Sequence, residues 1–217
     1  MDQNLTDIAS DGSALLRNEP VQARSTARLA SLLDAAAAII DEIGYERLTT
    51  AMVAERAGAS IGTVYRYFPD RIVVLQSLSA RSLGGFVDGT RATILDPAHD
   101  TWWDAVSACI MGMTGAFRSL PGFRSLRLGD VLDVRPALSA QSGSTVVAAA
   151  AAATLSQRFG LPIEDLAHRL EVVIVVSDSL LSRAFTYDAN GDSKLIDEAM
   201  TLSKAYLTGF YGDPTQA

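Results

Sequence analysis

Five residues, Gly58-Ala59-Ser60-Ile61-Gly62, fit the Gly-x-Ser-x-Gly pattern of a nucleophile elbow, the sharp strand-to-helix turn that presents a serine hydroxyl to a substrate. Asp130, Asp133 and His168 follow downstream, so partners for a serine triad exist on paper. The same five residues also fit the turn of a helix-turn-helix, with Ser60 as the residue that caps the second helix. Whether Ser60 is a nucleophile or a cap depends on the elements on either side of it.

An elbow needs a buried strand before it and a long helix after it. The preceding "AMVAERA" is rich in alanine, is charged at Glu55 and Arg56, and reads as helix. After Gly62 the helix has fewer than two turns, because Pro69 pushes Phe68 out of the helical region. The flanks favour the cap. Upstream, Leu29, Leu33, Ala36, Ile40 and Ile43 recur at spacings of three and four and predict a helix from Arg28 that Gly44 ends. Thr49 is a good N-cap for a second helix reaching Gly58, and Asp70 for a fourth from Arg71 to about Thr90. Val64 and Phe68 share one face and are expected to pack on Val53, Ala54, Ala57 and the first helix. Gly62, Thr63, Arg66 and Tyr67 then face elsewhere. A glycine at 62 allows close approach to a phosphate backbone. The groups on Thr63, Tyr65, Arg66 and Tyr67 suit phosphates and base edges.

Beyond residue 100 the pattern stays helical. Trp102, Val106, Cys109, Met113 and Phe117 form one stripe. A helix is expected after Pro121, another from Pro136 to near Gly160, another from Pro162 to about Tyr187, and a last from Ser193 to about Phe210. "EVVIVV" (171–176) has strand propensity but lies in a long stretch without turn residues, so it too is read as helix. The expected fold is all-α, in three parts: a disordered arm (1–23), a helix-turn-helix module (24–72) and a further helical domain (73–217), whose ligand-binding and dimerisation role is implied only by the family resemblance given below.

The 217 residues are 48% apolar and 20% charged, a globular composition. One cysteine excludes an internal disulfide, and with two scattered histidines it makes no metal set. The reading includes no metal and no cofactor. The N-terminus lacks the basic and apolar runs of a signal peptide, and the longest apolar stretches are too short to cross a bilayer; a cytoplasmic protein is expected. The net charge of −7 is unevenly spread: −3 over residues 1–23, 0 over 24–71 and −4 over 72–217. Electrostatic fields act within a Debye length of roughly 8–10 Å, so a small basic face can work on an acidic protein.

The stretch "LTTAMVAERAGASIGTVYRYFPDR" (48–71), with "ARSTARLASLLDAAAAIIDEIGYERL" before it, closely resembles the TetR-family transcriptional regulators. The resemblance covers roughly residues 24–75. It implies a dimer whose two recognition helices enter successive major grooves of operator DNA, with a variable helical ligand domain behind them. Carried over by position, Thr49 and Thr50 touch phosphate, Thr63 and Tyr65 contact bases or backbone, and Tyr67 and Arg71 hold phosphates. Arg24 and Arg28 form an arm reaching the backbone or minor groove. Ser60, Gly62 and Arg66 complete the DNA-contacting set. Tyr67 stands where histidine is commoner and Arg71 where lysine is; Ile61 and Ile72 occupy positions where polar residues are frequent.

On this reading the effector pocket takes Phe86, Trp102, Val106, Cys109, Met113 and Phe117, with Asp178 as polar anchor. Gly112 and Gly115 within that stripe, and Gly122 after it, suggest unfilled space. No arginine or lysine lies between Arg91 and Arg118, so the expected effector is a small apolar or aromatic molecule. Val172, Val176 and Leu180 on one helix, with Leu195, Ala199, Leu202, Tyr206 and Phe210 on the last, make an apolar face expected to pair with its symmetry mate. Val173 and Phe185 are expected on the same face. The expected function is a repressor released from a palindromic operator by that effector. Two alternatives stand beside it: a dimeric regulator with no effector, and a hydrolase on a helical scaffold using Ser60.

Overall fold

Every helix around the opening motif starts on the side chain that its sequence nominates as a cap. In the computed structural model, which describes the backbone of residues 8–126 and 142–214 and side chains from residue 22 onward within them, Thr49 accepts the Met52 N–H at 3.2 Å and opens α2 (Thr50–Arg56). Ser60 accepts the Thr63 N–H at 3.1 Å and opens α3 (Ile61–Tyr67). Asp70 accepts the Val73 N–H at 3.0 Å and opens α4 (Arg71–Leu95). Such caps satisfy backbone donors that a helix start leaves unpaired. Gly58, at φ 57°, takes the left-handed conformation that closes α2 and turns the chain into α3.

α1 (Ile8–Ile43) comes first, and a single 3₁₀ turn (Tyr45–Arg47) joins it to α2. After α4 follow α5 (Trp102–Ser119), α6 (Phe123–Leu126), α7 (Gly143–Phe159), α8 (Leu166–Ala184) and α9 (Ser193–Tyr211). No strand occurs among the described residues, and "EVVIVV" lies within α8.

Three boundaries differ from expectation. Residues 8–23, expected as a disordered arm, continue α1, which passes through Gly12 and Pro20 without a break. The fourth helix does not stop near Thr90 but runs to Leu95, where Asp96-Pro97 ends it. α8 is shorter than expected at both ends, because Asp165 takes a left-handed conformation (φ 57°) and the chain turns after Ala184. Residues 1–7, Asp130, Asp133 and the helix start at Pro136 lie outside the described residues.

Two cores and a bridging cluster hold the chain. The first joins Leu32, Ile39 and Ile40 of α1 to Leu48, Val53, Val64 and Phe68, the last two at 0% and 1% exposure as the shared face of α3 requires. It also takes Val74, Leu75 and Leu78 of α4 and Leu126 of α6, so the N-terminal module does not close at residue 72. The second core gathers Ile94, Trp102, Val106, Ile110, Ala148, Leu155, Leu170 and Leu207 from five helices. Between them Met113, Phe117, Phe123, Leu181 and Phe185 form the bridging cluster. α4 belongs to both ends: its first half is part of the module core and its last turn is part of the second.

Candidate nucleic-acid interface and ligand cavity

Ser60 is a cap. Besides the Thr63 N–H, its Oγ shares a 2.9 Å hydrogen bond with the Thr63 Oγ1. Helices lie on both sides of it and α3 has only 7 residues, so the strand and long helix of a nucleophile elbow are missing.

α3 buries Val64 and turns Ile61, Gly62, Tyr65 and Arg66 outward, with Thr63 and Tyr67 half-buried. Tyr65 is 54% exposed. Thr49 is exposed and Thr50 half-buried at the start of α2. A cleft runs between α1 and α3, walled by Arg24, Arg28, Ser31, Arg66 and Tyr67. Three guanidinium groups line it and no carboxylate does. Tyr67 ties the two helices together, its hydroxyl 3.1 Å from the Ser25 Oγ and within 3.4 Å of the Arg66 guanidinium, which lies over its ring. The Ser25 hydrogen bond, aided by the Arg66 and Arg28 charges, holds the phenol below its ordinary pKa.

Two arginines near the motif are already committed. Arg56 makes a bidentate pair with Glu42, both N···O distances 2.6 Å. That hydrogen bonding lowers the carboxylate's pKa and raises the guanidinium's. Arg56 therefore adds little to the local positive field. Arg71 is half-buried and donates to the Glu46 carbonyl, which fastens the start of α4 to the 3₁₀ turn. The resemblance implied Arg71 as a phosphate contact and gave Arg56 no role; the partners of the two lie 25 and 14 residues away, beyond any local pattern.

A cavity lies between α4, α5, α7 and α8. Its volume is about 60 Å³. α4 supplies Phe86, Thr90 and Ile94; α5 supplies Val106, Cys109, Ile110 and Met113. α7 contributes Val147, Ala151 and Leu155, and α8 contributes Leu170, Val173, Ile174 and Ser177. No charged side chain is among them. Burial pushes the Cys109 thiol up to about 12, so it sits in the wall as a neutral, apolar group.

Of the expected pocket residues, Phe86, Val106, Cys109 and Met113 line this cavity. Trp102, Phe117 and Asp178 do not. From Trp102 to Phe117 the α5 stripe is about 22 Å long at the helical rise, longer than the cavity. Trp102 lies past one end, edge-on to Trp103 and Tyr211. Phe117 lies past the other, stacked on Phe185 at 5.6 Å. Asp178 follows Ser177, and the turn of about 100° per residue carries it off the cavity face. The effector was expected among the helices from the fourth to the one after Pro162, and α7 and α8 do wall the cavity, but their lining side chains were not among the expected pocket residues. The run of six alanines at 148–153 was their signal, because methyl side chains on a buried helix face leave volume unfilled.

The expected pairing face is only partly outward. Leu202 and Phe210 are 48% and 51% exposed, and Val175, not named beforehand, is 50% exposed. Val172, Val176, Leu180 and Tyr206 are half-buried. Ala199 is fully buried within the chain, and Leu195 packs against the bridging cluster. Val173 and Phe185 also point inward. The face of α9 that meets α8 is Ala199, Ser203 and Leu207, with the Ser203 and Ser177 hydroxyls 3.3 Å apart. The apolar stripe of α9 spans two faces, and Leu202 and Phe210 lie on the exposed one.

Residues 32–76 match the family described as bacterial regulatory proteins, tetR family, and residues 100–211 match the tetracyclin repressor-like C-terminal domain. A TetR-family transcriptional regulator from Streptomyces coelicolor has a solved structure 30% identical in sequence, with a TM-score of 0.71, and the match covers 84% of this chain and 98% of that one. The transcriptional repressor KstR of Rhodococcus jostii is 46% identical over 50 residues, 23% of this chain and 24% of the relative. The fatty acid metabolism regulator protein of Bacillus subtilis is 33% identical over 67 residues, 31% of this chain and 34% of the relative. The matches thus span about a quarter to a third of the length of these curated relatives.

Proposed function

The chain belongs to the TetR family of bacterial transcriptional regulators, and from that premise we propose that it is a dimeric repressor released from a palindromic operator by a small uncharged apolar or aromatic effector. The observation that carries this reading is the course of α4. It starts on the Asp70 cap beside α3, lies in the module core through Leu78, and ends as a wall of the apolar cavity through Phe86, Thr90 and Ile94. A molecule that widens the cavity displaces the helix that carries the reading head.

The arginine cleft and the outward face of α3 support DNA contact by Arg24, Arg28, Gly62, Thr63, Tyr65, Arg66 and Tyr67, with Thr49 and Thr50 at the start of α2. Ser60 holds Thr63 in place, and Arg71 acts by anchoring α4 as well as through its charge. Val175, Val176, Leu202 and Phe210 support a pairing face built from α8 and α9. Two-fold pairing calls for half-sites about one helical turn apart. A full switch from bound to free requires the effector to prefer the released state by about 5.5 kcal/mol.

The test is a gel-shift with DNA flanking the chain's own gene, repeated with neutral apolar compounds that raise the thermal midpoint. Compounds that stabilise the protein without weakening DNA binding overturn the effector. The narrowness of the cavity favours one second reading, a dimeric regulator with no effector. No shift with flanking DNA overturns both.

A further inference from the structure

A second hollow lies outside the first, between α4 and α5. The two share Phe86, Thr90, Cys109 and Met113, so a single layer of side chains separates them. The outer cleft has a volume of about 180 Å³, against about 60 Å³ for the inner cavity. Gly85 and Gly89 of α4 and Gly112 of α5 line it. Glycine inside a helix is unfavourable relative to alanine and is normally tolerated where two backbones approach closely. That reason fails here, since a Cβ built on any of the three meets no atom within 4 Å. Their effect is to keep the cleft open. Its hydroxyl-bearing side chains are Thr90 and Thr93, and no charged side chain lines either hollow.

We propose that the α4–α5 cleft is the outer half of the effector site. It receives the uncharged polar end of a ligand whose narrow apolar body fills the inner cavity past Phe86 and Cys109. The ligand class is therefore a neutral amphiphile: an alkyl or slim ring body ending in a hydroxyl, ketone, ester or amide. The cleft offers that end group the Thr90 and Thr93 hydroxyls. A carboxylate or ammonium end would lose hydration there without gaining a counter-charge. This inference rests on the reading that the inner cavity binds the effector.

The experiment uses the purified full chain and the probes 1-hexanol, 1-dodecanol and dodecanoate, with affinities from calorimetry. Gly112→Leu fills the outer cleft and raises helix propensity, so it is expected to fold. Ala151→Leu narrows the inner cavity. The wild type should bind dodecanol more tightly than hexanol, and dodecanoate at least tenfold more weakly than dodecanol. Gly112→Leu should cost dodecanol at least tenfold in affinity and hexanol less than threefold. Ala151→Leu should weaken both alcohols. If Gly112→Leu leaves dodecanol unchanged, or weakens both alcohols equally, the two-part site is wrong while the inner cavity stands. If dodecanoate binds as tightly as dodecanol, the neutral class is wrong. If no alcohol binds the wild type, or Ala151→Leu leaves hexanol unchanged, the inner-cavity reading fails and takes this one with it.

Discussion

The Phe86 ring lies stacked on the Phe123 ring, centroids 5.1 Å apart and planes 12° from parallel. Phe86 is a wall of the cavity, whereas Phe123 opens the short helix α6. The residue before it, Gly122, donates its N–H to the Asp41 carboxylate of α1 at 3.2 Å. At φ 75° Gly122 also sits so close that a Cβ there would lie 3.2 Å from the Ala37 carbonyl oxygen. The cavity thus touches α1 through this ring pair as well as through α4. Aromatic pairs of this kind contribute about 0.5–1.5 kcal/mol beyond area burial. Urea denaturation of Phe86→Leu, Phe123→Leu and the double variant should return a coupling of that size. Strict additivity would show that the stack contributes nothing of its own.

The arginines should separate into two classes on DNA. Arg28→Ala and Arg66→Ala each remove a charge from the α1–α3 cleft, and each should lower the slope of log affinity against log salt by about one. Arg56→Ala should leave that slope unchanged, because its charge is already paired with Glu42. A fluorescence anisotropy titration from low to moderate salt distinguishes them, and an equal effect of Arg56→Ala would contradict the assignment.

Charge on the outer face of α8 and α9 should break assembly without unfolding the chain. Leu202→Glu with Val175→Glu is expected to sediment as a monomer with native helical circular dichroism. Ala199→Glu places a charge at a fully buried site and should unfold the protein instead. A Leu202→Glu, Val175→Glu chain that remains dimeric would move the interface elsewhere.

Ser60→Ala should destabilise the module by about 1 kcal/mol, the usual loss for an N-cap, and Ser60→Gly by only a few tenths. Thermal melts followed by circular dichroism read both. Hydrolysis of a nitrophenyl ester by the wild type that disappears in Ser60→Ala would restore the nucleophile.

At the start of α5, Thr101 and Asp104 form a capping box, with Asp104 accepting the Thr101 N–H at 2.9 Å and the Thr101 hydroxyl at 2.8 Å. The Thr101 hydroxyl, then its backbone N–H, hold the Asp104 carboxyl below its ordinary pKa. A carboxylate with a depressed folded pKa stabilises fully above its unfolded pKa near 4, and that contribution disappears as pH falls through the folded value. Asp104→Asn should therefore be less stable than wild type at neutral pH, and the gap should close in acid. Urea midpoints across that range measure it.

The sequence by itself determined the reading head. Its caps at Thr49, Ser60 and Asp70, the turn at Gly58 and the stop at Phe68-Pro69 act over three or four residues, and so does the 3.6-residue period that buries Val64 with Phe68. Interactions of that range leave a readable pattern in one chain. The apolar stripe of α5 was legible for the same reason, but its period says only which face points inward. How much of that face meets a neighbour and how much meets empty space depends on α7 and α8, which come tens of residues later in the chain, and only the tertiary structure ended the cavity before Trp102 and Phe117. It also decided which arginines keep a free charge, since Glu42 and the Glu46 carbonyl reach Arg56 and Arg71 through folding. On α9, one stripe held both Ala199 and Leu202. Packing against α8 buried the first and left the second exposed, because the period of a stripe does not say which side of it meets a neighbouring helix.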